Sequence, residues 1–406
     1  MNFVVFSWNF LPQNDPEAYC TARFVSALAE SGHNVQVVTP AQNQDVPREI
    51  VAQILSSKVK VTNFEQLSFS NRHIAYLTKS LNIDSWTTAT CRSAIKALKR
   101  CLRQTKDAVL VSRAMPMKSN LIAYRCRRYA RFWVAHFSDP FPWNFPTNSL
   151  KNKLTTRFAL AVTRRVLLSA DAISITCRQV LQFFEDKFSG EYESVKNKFF
   201  VTPHIGEPLL EPVGEMPYLP QSHTIVSHCG LLCSARYCDE LLRSLKILKE
   251  RDLDYEFVQL GHLDISAQRV IEQEHISIRQ LEVTNPSVST VVNRKSKACL
   301  VLDTRTAYET SLFIPSKFVY LLFTESPIVA YTPRGSAMQE LTEKYPEAGI
   351  VWADPANKDS LVNAVEMVIK SKMCIDRKGV RKLFSRGEVI KMFNAKIPPH
   401  ENMDNI

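Results

Sequence analysis

The stretch Glu309–Ser336, ETSLFIPSKFVYLLFTESPIVAYTPRGS, decides how the fold is read. A polar loop ends in Pro315, Ser316 and Lys317, and an apolar helical segment follows from Phe318 to Phe323. The β-branched pair Ile328 and Val329 then marks a strand, and Pro333-Arg334-Gly335-Ser336 a turn. Loop, helix, strand and turn form one step of an α/β alternation. The step also sets backbone N–H groups and one lysine at a helix N-terminus, where the helix dipole favours an anion such as phosphate. The same residues also read as an ordinary helix start with an exposed lysine, the commoner meaning of such spacing.

The alternation continues on both sides. Upstream, strand Ile225–His228 leads through Gly230 and a loop ending at Arg236 into a helix over Cys238–Arg251. Strand Phe257–Leu260 ends in Gly261, and a helix over 264–275, strand Ile276–Leu281, a helix over 286–295 and strand Ala298–Asp303 follow. Downstream come a helix over 336–344, strand Gly349–Trp352 and a helix over Lys358–Ile369. Residues 203–222 hold five prolines and two glycines and read as a linker.

The first half repeats the pattern. Met1–Phe6 reads as a buried strand, and a helix follows from Pro16, with Ala18, Ala22, Val25, Leu28 and Ala29 on one face and Gly32 at its end. Val35–Val38 completes a βαβ unit, so the sheet is expected to be parallel. Further strands are expected at Val59–Val61, Ala108–Val111, Phe132–His136, Ala172–Thr176 and Lys198–Thr202, with helices over Thr88–Gln104 and 150–169. The expected organisation is a first Rossmann-like domain over 1–204, a linker over 205–222, a second over 223–375, and a basic helix and polar tail over 376–406.

At 406 residues the chain suits two domains. It is 45% apolar and 22% charged, which excludes a disordered class. No basic, apolar leader opens it and no apolar run is long enough to span a bilayer, so a cytoplasmic protein is expected. Ten scattered cysteines read as free thiols, and Cys229, Cys233 and Cys238 lack the Cys-x-x-Cys spacing of a zinc site. No metal site is expected.

Charge is lopsided: residues 1–200 carry 27 Lys and Arg against 14 Asp and Glu, whereas the remainder carries 24 against 26. An anionic partner for the first half is expected, and a phospholipid surface or lipid-linked phosphate fits as well as nucleic acid does. Arg92, Lys96, Lys99 and Arg103 fall near one face of the Thr88–Gln104 helix, either a solvated face or one that meets anionic headgroups. The loop HFSDPFPWNFP, residues 136–146, sits at the carboxyl end of a strand, where open parallel sheets bind ligands. There Asp139 can accept hydrogen bonds from sugar hydroxyls while Phe141 and Trp143 offer apolar faces, or the loop simply packs on its own rings.

Four segments together resemble the GT-B glycosyltransferases, specifically family-4-like enzymes of bacterial surface-polysaccharide clusters. FLPQNDPEAYCTARFVSALAESGHNVQVVTP resembles the loop, helix and "GHxVxVVT" strand that open the acceptor domain, and VAHFSDPFPWN the "AHFSDPW" loop. HCGLLCSARYCDELLRSLKIL resembles the first loop and helix of the donor domain, and FIPSKFVYLLFTESPIVAYTPRGSA the element "PSKLxEYLxxGKPIL". The resemblance covers nearly the whole chain and implies two Rossmann-like domains facing a cleft. It also implies transfer of a sugar from a nucleotide-sugar donor, with no further cofactor, to a glycan or lipid-linked acceptor, retaining and metal-independent. It implies Arg236 and Lys317 on the donor diphosphate and Asp139 as the cleft aspartate. Gly230, Gly261, Ser316, Tyr320, Gly335 and Ser336 line the donor side, and Asn14 and Trp143 the acceptor side. It further implies a protein at the inner face of a membrane.

The chain departs from that pattern at several points. Tyr320 stands where an acidic residue meets the ribose and Glu325 where a glycine ends the helix; Gln13-Asn14-Asp15 replaces a glycine-rich loop, Ser138 a histidine and Cys233 a tyrosine. These departures suit a second reading, a non-catalytic relative kept for binding or assembly. An epimerase on the same fold lacks a cluster of acid and base residues, and a dinucleotide-dependent dehydrogenase lacks Gly-x-Gly-x-x-Gly.

Overall fold

A computed structural model describes residues 1–43, 45–65, 89–142, 150–219, 224–283 and 285–399. The chain divides into two units, Met1–His204 with Arg386–Ile406, and Ile205–Ser385.

The first unit is built on a seven-stranded parallel sheet. In chain order its strands are β1 (Asn2–Ser7), β2 (Asn34–Pro40), β3 (Val59–Phe64), β4 (Val109–Ala114), β5 (Phe132–Phe137), β6 (Ala172–Ile175) and β7 (Phe199–Val201). Across the sheet they run β3-β2-β1-β4-β5-β6-β7. Strands such as VVF at 4–6 and VLV at 109–111 are buried on both faces, which is why they read as continuous apolar runs. The helix Pro16–Glu30 starts where Asp15 accepts from the N–H groups of Glu17 and Ala18, with Pro16 preset for the first turn. It stops at Gly32, whose φ of +85° continues no right-handed helix.

The second unit carries a six-stranded parallel sheet of β8 (Ile225–Cys229), β9 (Glu256–Leu260), β10 (Arg279–Leu281), β11 (Ala298–Leu302), β12 (Ile328–Tyr331) and β13 (Ile350–Ala353), in the order β10-β9-β8-β11-β12-β13. In both sheets the order of strand addition reverses at one place, between β1 and β4 in the first and between β8 and β11 in the second. Loops leaving the carboxyl ends of strands at such a reversal diverge and leave a crevice between them.

Several boundaries differ from the sequence reading. The strand expected over Ile276–Leu281 is paired only from Arg279, because the preceding helix Ile265–Gln273 unwinds through His275 at φ +51°. The helix Arg48–Ile54 was not expected: seven residues with Ile50 and Ile54 buried give too little periodicity. The proline-rich segment read as a linker packs on the second unit. Leu210 N–H donates to Tyr320 Oη (2.9 Å), and the Asn285 side chain donates to Val213 O (2.8 Å).

The C-terminal region splits. Arg377 is buried in the second unit and donates to the carbonyls of Leu321, Thr324, Ser326 and Ala348 at 2.6–2.9 Å. The helix Arg386–Asn394 belongs instead to the first unit. Its Phe393 ring meets Phe24 edge-on at 4.9 Å and tilts against Phe3 and Phe200, and Arg386 pairs with Glu30.

Candidate functional site

In the second unit, polar groups collect at the sheet reversal. His228 is fully buried near the end of β8, and Gln259 is fully buried one strand over. Gln259 Nε2 donates to Gly230 O at 2.7 Å, which turns its Oε1 toward His228 Nδ1 at 2.8 Å. A carbonyl oxygen only accepts, so Nδ1 carries the imidazole proton, and Nε2 accepts from Lys317 Nζ at 2.9 Å. Burial and the Lys317 cation hold His228 well below the usual imidazole range, so it stays neutral. Thus a carbonyl, an amide and an imidazole in series fix the position of one ammonium group.

Lys317 is the second residue of the short helix Ser316–Leu321, entered through Pro315 in extended conformation. Desolvation, then the neighbouring Arg236 cation, push its ammonium down to about 7. Arg236 ends the turn Ser234–Arg236 that leaves β8, and Tyr237 beyond it adopts a left-handed φ of +54°. Neither Arg236 nor Lys317 forms an ion pair among the described residues. Nearby Asp303, buried at the end of β11, accepts from Thr332 Oγ1 (2.6 Å) and Thr304 N–H (2.7 Å), and burial raises its carboxyl.

Two glycines make room at this point. Gly230 has φ +137°, and a Cβ there would lie 3.6 Å from Lys317 Nζ. Gly261 has φ +119°, and a Cβ there would stand 2.7 Å from Gly230 O, so only glycine lets the loops after β8 and β9 lie this close.

The structure therefore brings Arg236, Lys317, Gly230 and Gly261 together, with Ser316 beside Lys317 in sequence. Gly335 and Ser336 form the turn after β12. There Ser336 caps the helix Ala337–Lys344 and Gly335 N–H donates to Gln339 Oε1. Tyr320 is placed differently from the sequence reading: its ring is buried and its hydroxyl is engaged by Thr290 Oγ1 (2.5 Å) and Leu210 N–H (2.9 Å).

In the first unit, Asp139 is partly exposed just beyond β5. Asn14 is exposed and accepts from Tyr19 Oη at 3.2 Å; Trp143 lies outside the described residues. Sequence reasoning missed the group beside Asp139. Glu17, only 8% exposed, accepts from Ser138 Oγ at 2.6 Å, and from Arg113 Nε and Thr21 Oγ1 at 3.3 Å each. Its signal was a carboxylate on the apolar face of a helix. The signal for His228 and Gln259 was a polar residue inside a strand that is otherwise apolar.

Compared by sequence, the chain matches no protein-family model and no curated protein. Compared as a structure, it superposes on glycosyltransferases over almost its whole length. HepE of Anabaena, solved with UDP and glucose, aligns with TM-score 0.64 at 12% identity, over 97% of this chain and 98% of HepE. A variant of TarM from S. aureus, solved with UDP, alpha-GlcNAc-glycerol and fondaparinux, aligns with TM-score 0.63 at 7% identity, over 97% and 99%. WaaG, a glycosyltransferase involved in lipopolysaccharide biosynthesis, aligns with TM-score 0.61 at 10% identity, over 97% and 98%. Two all-parallel Rossmann-like units, together covering nearly the full length of each of these chains, give the protein the fold of the GT-B glycosyltransferases.

Proposed function

We propose that the protein is a glycosyltransferase that binds a nucleotide-sugar donor on its second unit and moves the sugar to a glycan or lipid-linked acceptor held by the first. The observation that carries this reading is the Arg236 and Lys317 pair. Two cations share a sheet reversal with no carboxylate bonded to either among the described residues, beside two glycines that admit close approach. Such a pair suits a diphosphate, whose two phosphoryl groups accept charge-assisted hydrogen bonds from both. When the glycosidic bond breaks, negative charge grows on the departing diphosphate, and cations already in place stabilise it. On this reading the nucleotide sugar is the substrate and no separate cofactor is needed. The positive charge comes from the two side chains, so transfer is metal-independent, with retention at the anomeric carbon. The fold neighbours solved with UDP support the donor class, and WaaG's part in lipopolysaccharide biosynthesis supports a surface-polysaccharide setting.

Titration calorimetry with UDP, GDP and their sugars tests the proposal. Binding of at least one below millimolar concentration is expected, with loss in Lys317→Ala; no binding of any refutes it. The sealed Tyr320 hydroxyl, at the position where the resemblance puts a ribose ligand, favours a second reading as a binding protein without transfer. Donor binding together with product formation on no glycan or lipid acceptor would select that reading.

A membrane surface completes the proposal. On the helix Ala89–Gln104, Cys91, Ala94, Leu98 and Cys101 are buried while Arg92, Lys96, Arg100 and Arg103 are exposed. Tyr129 is ringed by Lys99, Arg103 and Arg128 at 4.8–5.0 Å, and hydrogen bonding to Lys99, then to Arg128, lowers its phenol to about 8. Among the described residues no helix is long and apolar enough to cross a membrane. Adsorption through this basic face places the protein on the inner leaflet. Sedimentation with phosphatidylglycerol vesicles is expected to weaken with salt, and equal binding to neutral vesicles refutes it.

A further inference from the structure

The reversal point of the first sheet carries its own buried chemistry. Ser7, Arg113, His136 and Ser174 lie in one row across β1, β4, β5 and β6. Arg113 stands near the carboxyl end of β4, and Glu17 opens the helix that follows β1, so the two meet across the gap where loops diverge. Ser138 closes the group from the loop after β5, with its hydroxyl donating to Glu17 Oε2 and its carbonyl accepting from Thr176 Oγ1. His136 adds a buried Nε2 with no hydrogen-bond partner among the described residues, its Nδ1 being on Ser174 Oγ at 2.9 Å.

Resting on the glycosyl-transfer reading, we infer that Glu17 takes the proton of the acceptor hydroxyl through Ser138, which touches that hydroxyl beside Asp139. As the acceptor oxygen bonds to the anomeric carbon of the nucleotide sugar on the same face that the diphosphate leaves, which keeps the configuration, the carbon–oxygen bond to the diphosphate breaks and the nucleoside diphosphate departs with the electron pair. The acceptor proton passes to Ser138 Oγ, and the proton Ser138 carried passes to Glu17 Oε2 along the 2.6 Å bond. Charge and atoms balance, and Ser138 ends as it began.

The surroundings suit a carboxylate that gains and loses a proton near neutrality. Desolvation raises Glu17 to about 7, and the Asp139 and Asp15 carboxylates add to the rise. The Arg113 cation and the Ser138 hydroxyl oppose it. Among the other titratable groups of this region, His136 and His204 are held neutral by burial and by Arg113, with Arg23 acting on His204 as well, and burial raises the Tyr19 phenol further above neutrality. Glu17 is thus the group here whose charge changes around pH 7. It is a positioning residue for the proton, and Ser138 is the group that touches substrate.

The test uses the full chain labelled with carbon-13 at the glutamate carboxyls, with the Glu17 signal assigned by its loss in Glu17→Gln. Glu17 is expected to titrate near neutrality and to move upward in Ser138→Ala, which removes a bond to the ionised form. A midpoint in the ordinary glutamate range, or one that Ser138→Ala leaves in place, overturns the relay. In parallel, kcat/KM for a UDP-sugar that turns over is expected to fall about tenfold per pH unit below neutrality in the parent and to lose that limb in Glu17→Gln. A limb that survives Glu17→Gln also overturns it. If Glu17 titrates as expected while the UDP-sugars and GDP-sugars are all inert, glycosyl transfer and the relay built on it both fall, and the proton site remains as a property of the fold.

Discussion

Donor binding should be linked to the protonation of Lys317, and the sign and size of the link follow from its surroundings. In the free protein burial and Arg236 bring the ammonium down to about 7, so at pH 9 about one molecule in a hundred carries the charge. A diphosphate against Nζ restores the charged form, because an opposite charge within a few ångströms favours it. The complex therefore binds more protons than the free protein. Affinity is fully present below about pH 7 and declines about tenfold per unit above it. From pH 7 to 9 the loss approaches 50-fold, or roughly 2.3 kcal/mol. The second phosphate ionisation of UDP, near 6, is complete over most of this range and does not mask the trend. Calorimetry with UDP in two buffers of different ionisation enthalpy should show nearly one proton taken up at pH 8.5. Arg236→Ala separates the two cations: it weakens binding at pH 6.5 by removing a partner of the diphosphate, yet moves the decline to higher pH by relieving Lys317. Affinity unchanged between pH 7 and 9, or an Arg236→Ala protein whose decline starts at the same pH, would refute the argument.

Other perturbations follow from single contacts. Glu17 is raised in the fold from about 4.5 to about 7, so the folded chain binds more protons than the unfolded between those values, and ionising Glu17 costs stability as pH rises through them. Glu17→Gln should gain on the parent by up to about 3 kcal/mol between pH 4.5 and 8 in urea denaturation; a constant difference would show the burial to be energetically empty. Tyr320→Phe leaves the Leu210 N–H and Thr290 hydroxyl short of a partner and should cost about 1–2 kcal/mol in the same assay while leaving UDP affinity unaltered. Phe393→Ala removes the ring that meets Phe3, Phe24 and Phe200 and should destabilise the first unit by about 3–5 kcal/mol, read as an earlier transition by tryptophan fluorescence of Trp133.

The two sheets were legible because their strands are buried on both faces, so runs such as VVF and VLV carry the pattern in composition alone. Lys317, Arg236, Gly230 and Gly261 were legible from position, each standing just past a strand or at a helix start. What stayed hidden depended on contacts far apart in sequence. Lys317 and His228 are 89 residues apart, and Glu17 and Ser138 are 121 apart. No local pattern distinguishes a glutamate that accepts from a distant serine from one that faces water. Where the C-terminal helix packs stayed hidden for a related reason: Phe393 gains its meaning from Phe3 and Phe24 at the other end of the chain. Tyr320 misled because alignment to a motif assigns a place, whereas the hydroxyl's partners, Leu210 and Thr290, decide its use.

On the glycosyl-transfer reading the two reversal points have opposite requirements, and together they predict a working pH. In the second unit Lys317 acts only while protonated, and burial and Arg236 make the proton easy to lose above about 7. In the first, Glu17 accepts a proton only while ionised, and burial makes the proton hard to lose below about 7. A rate that needs both groups rises on one limb and falls on the other, with its crest near neutrality, and the two apparent values lie too close for a broad plateau. Each limb has its own lever: Arg236→Ala should move only the falling side, and Glu17→Gln should remove only the rising side. A bell in which either substitution shifted both limbs together would mean that one coupled group, and not two independent ones, governs the profile.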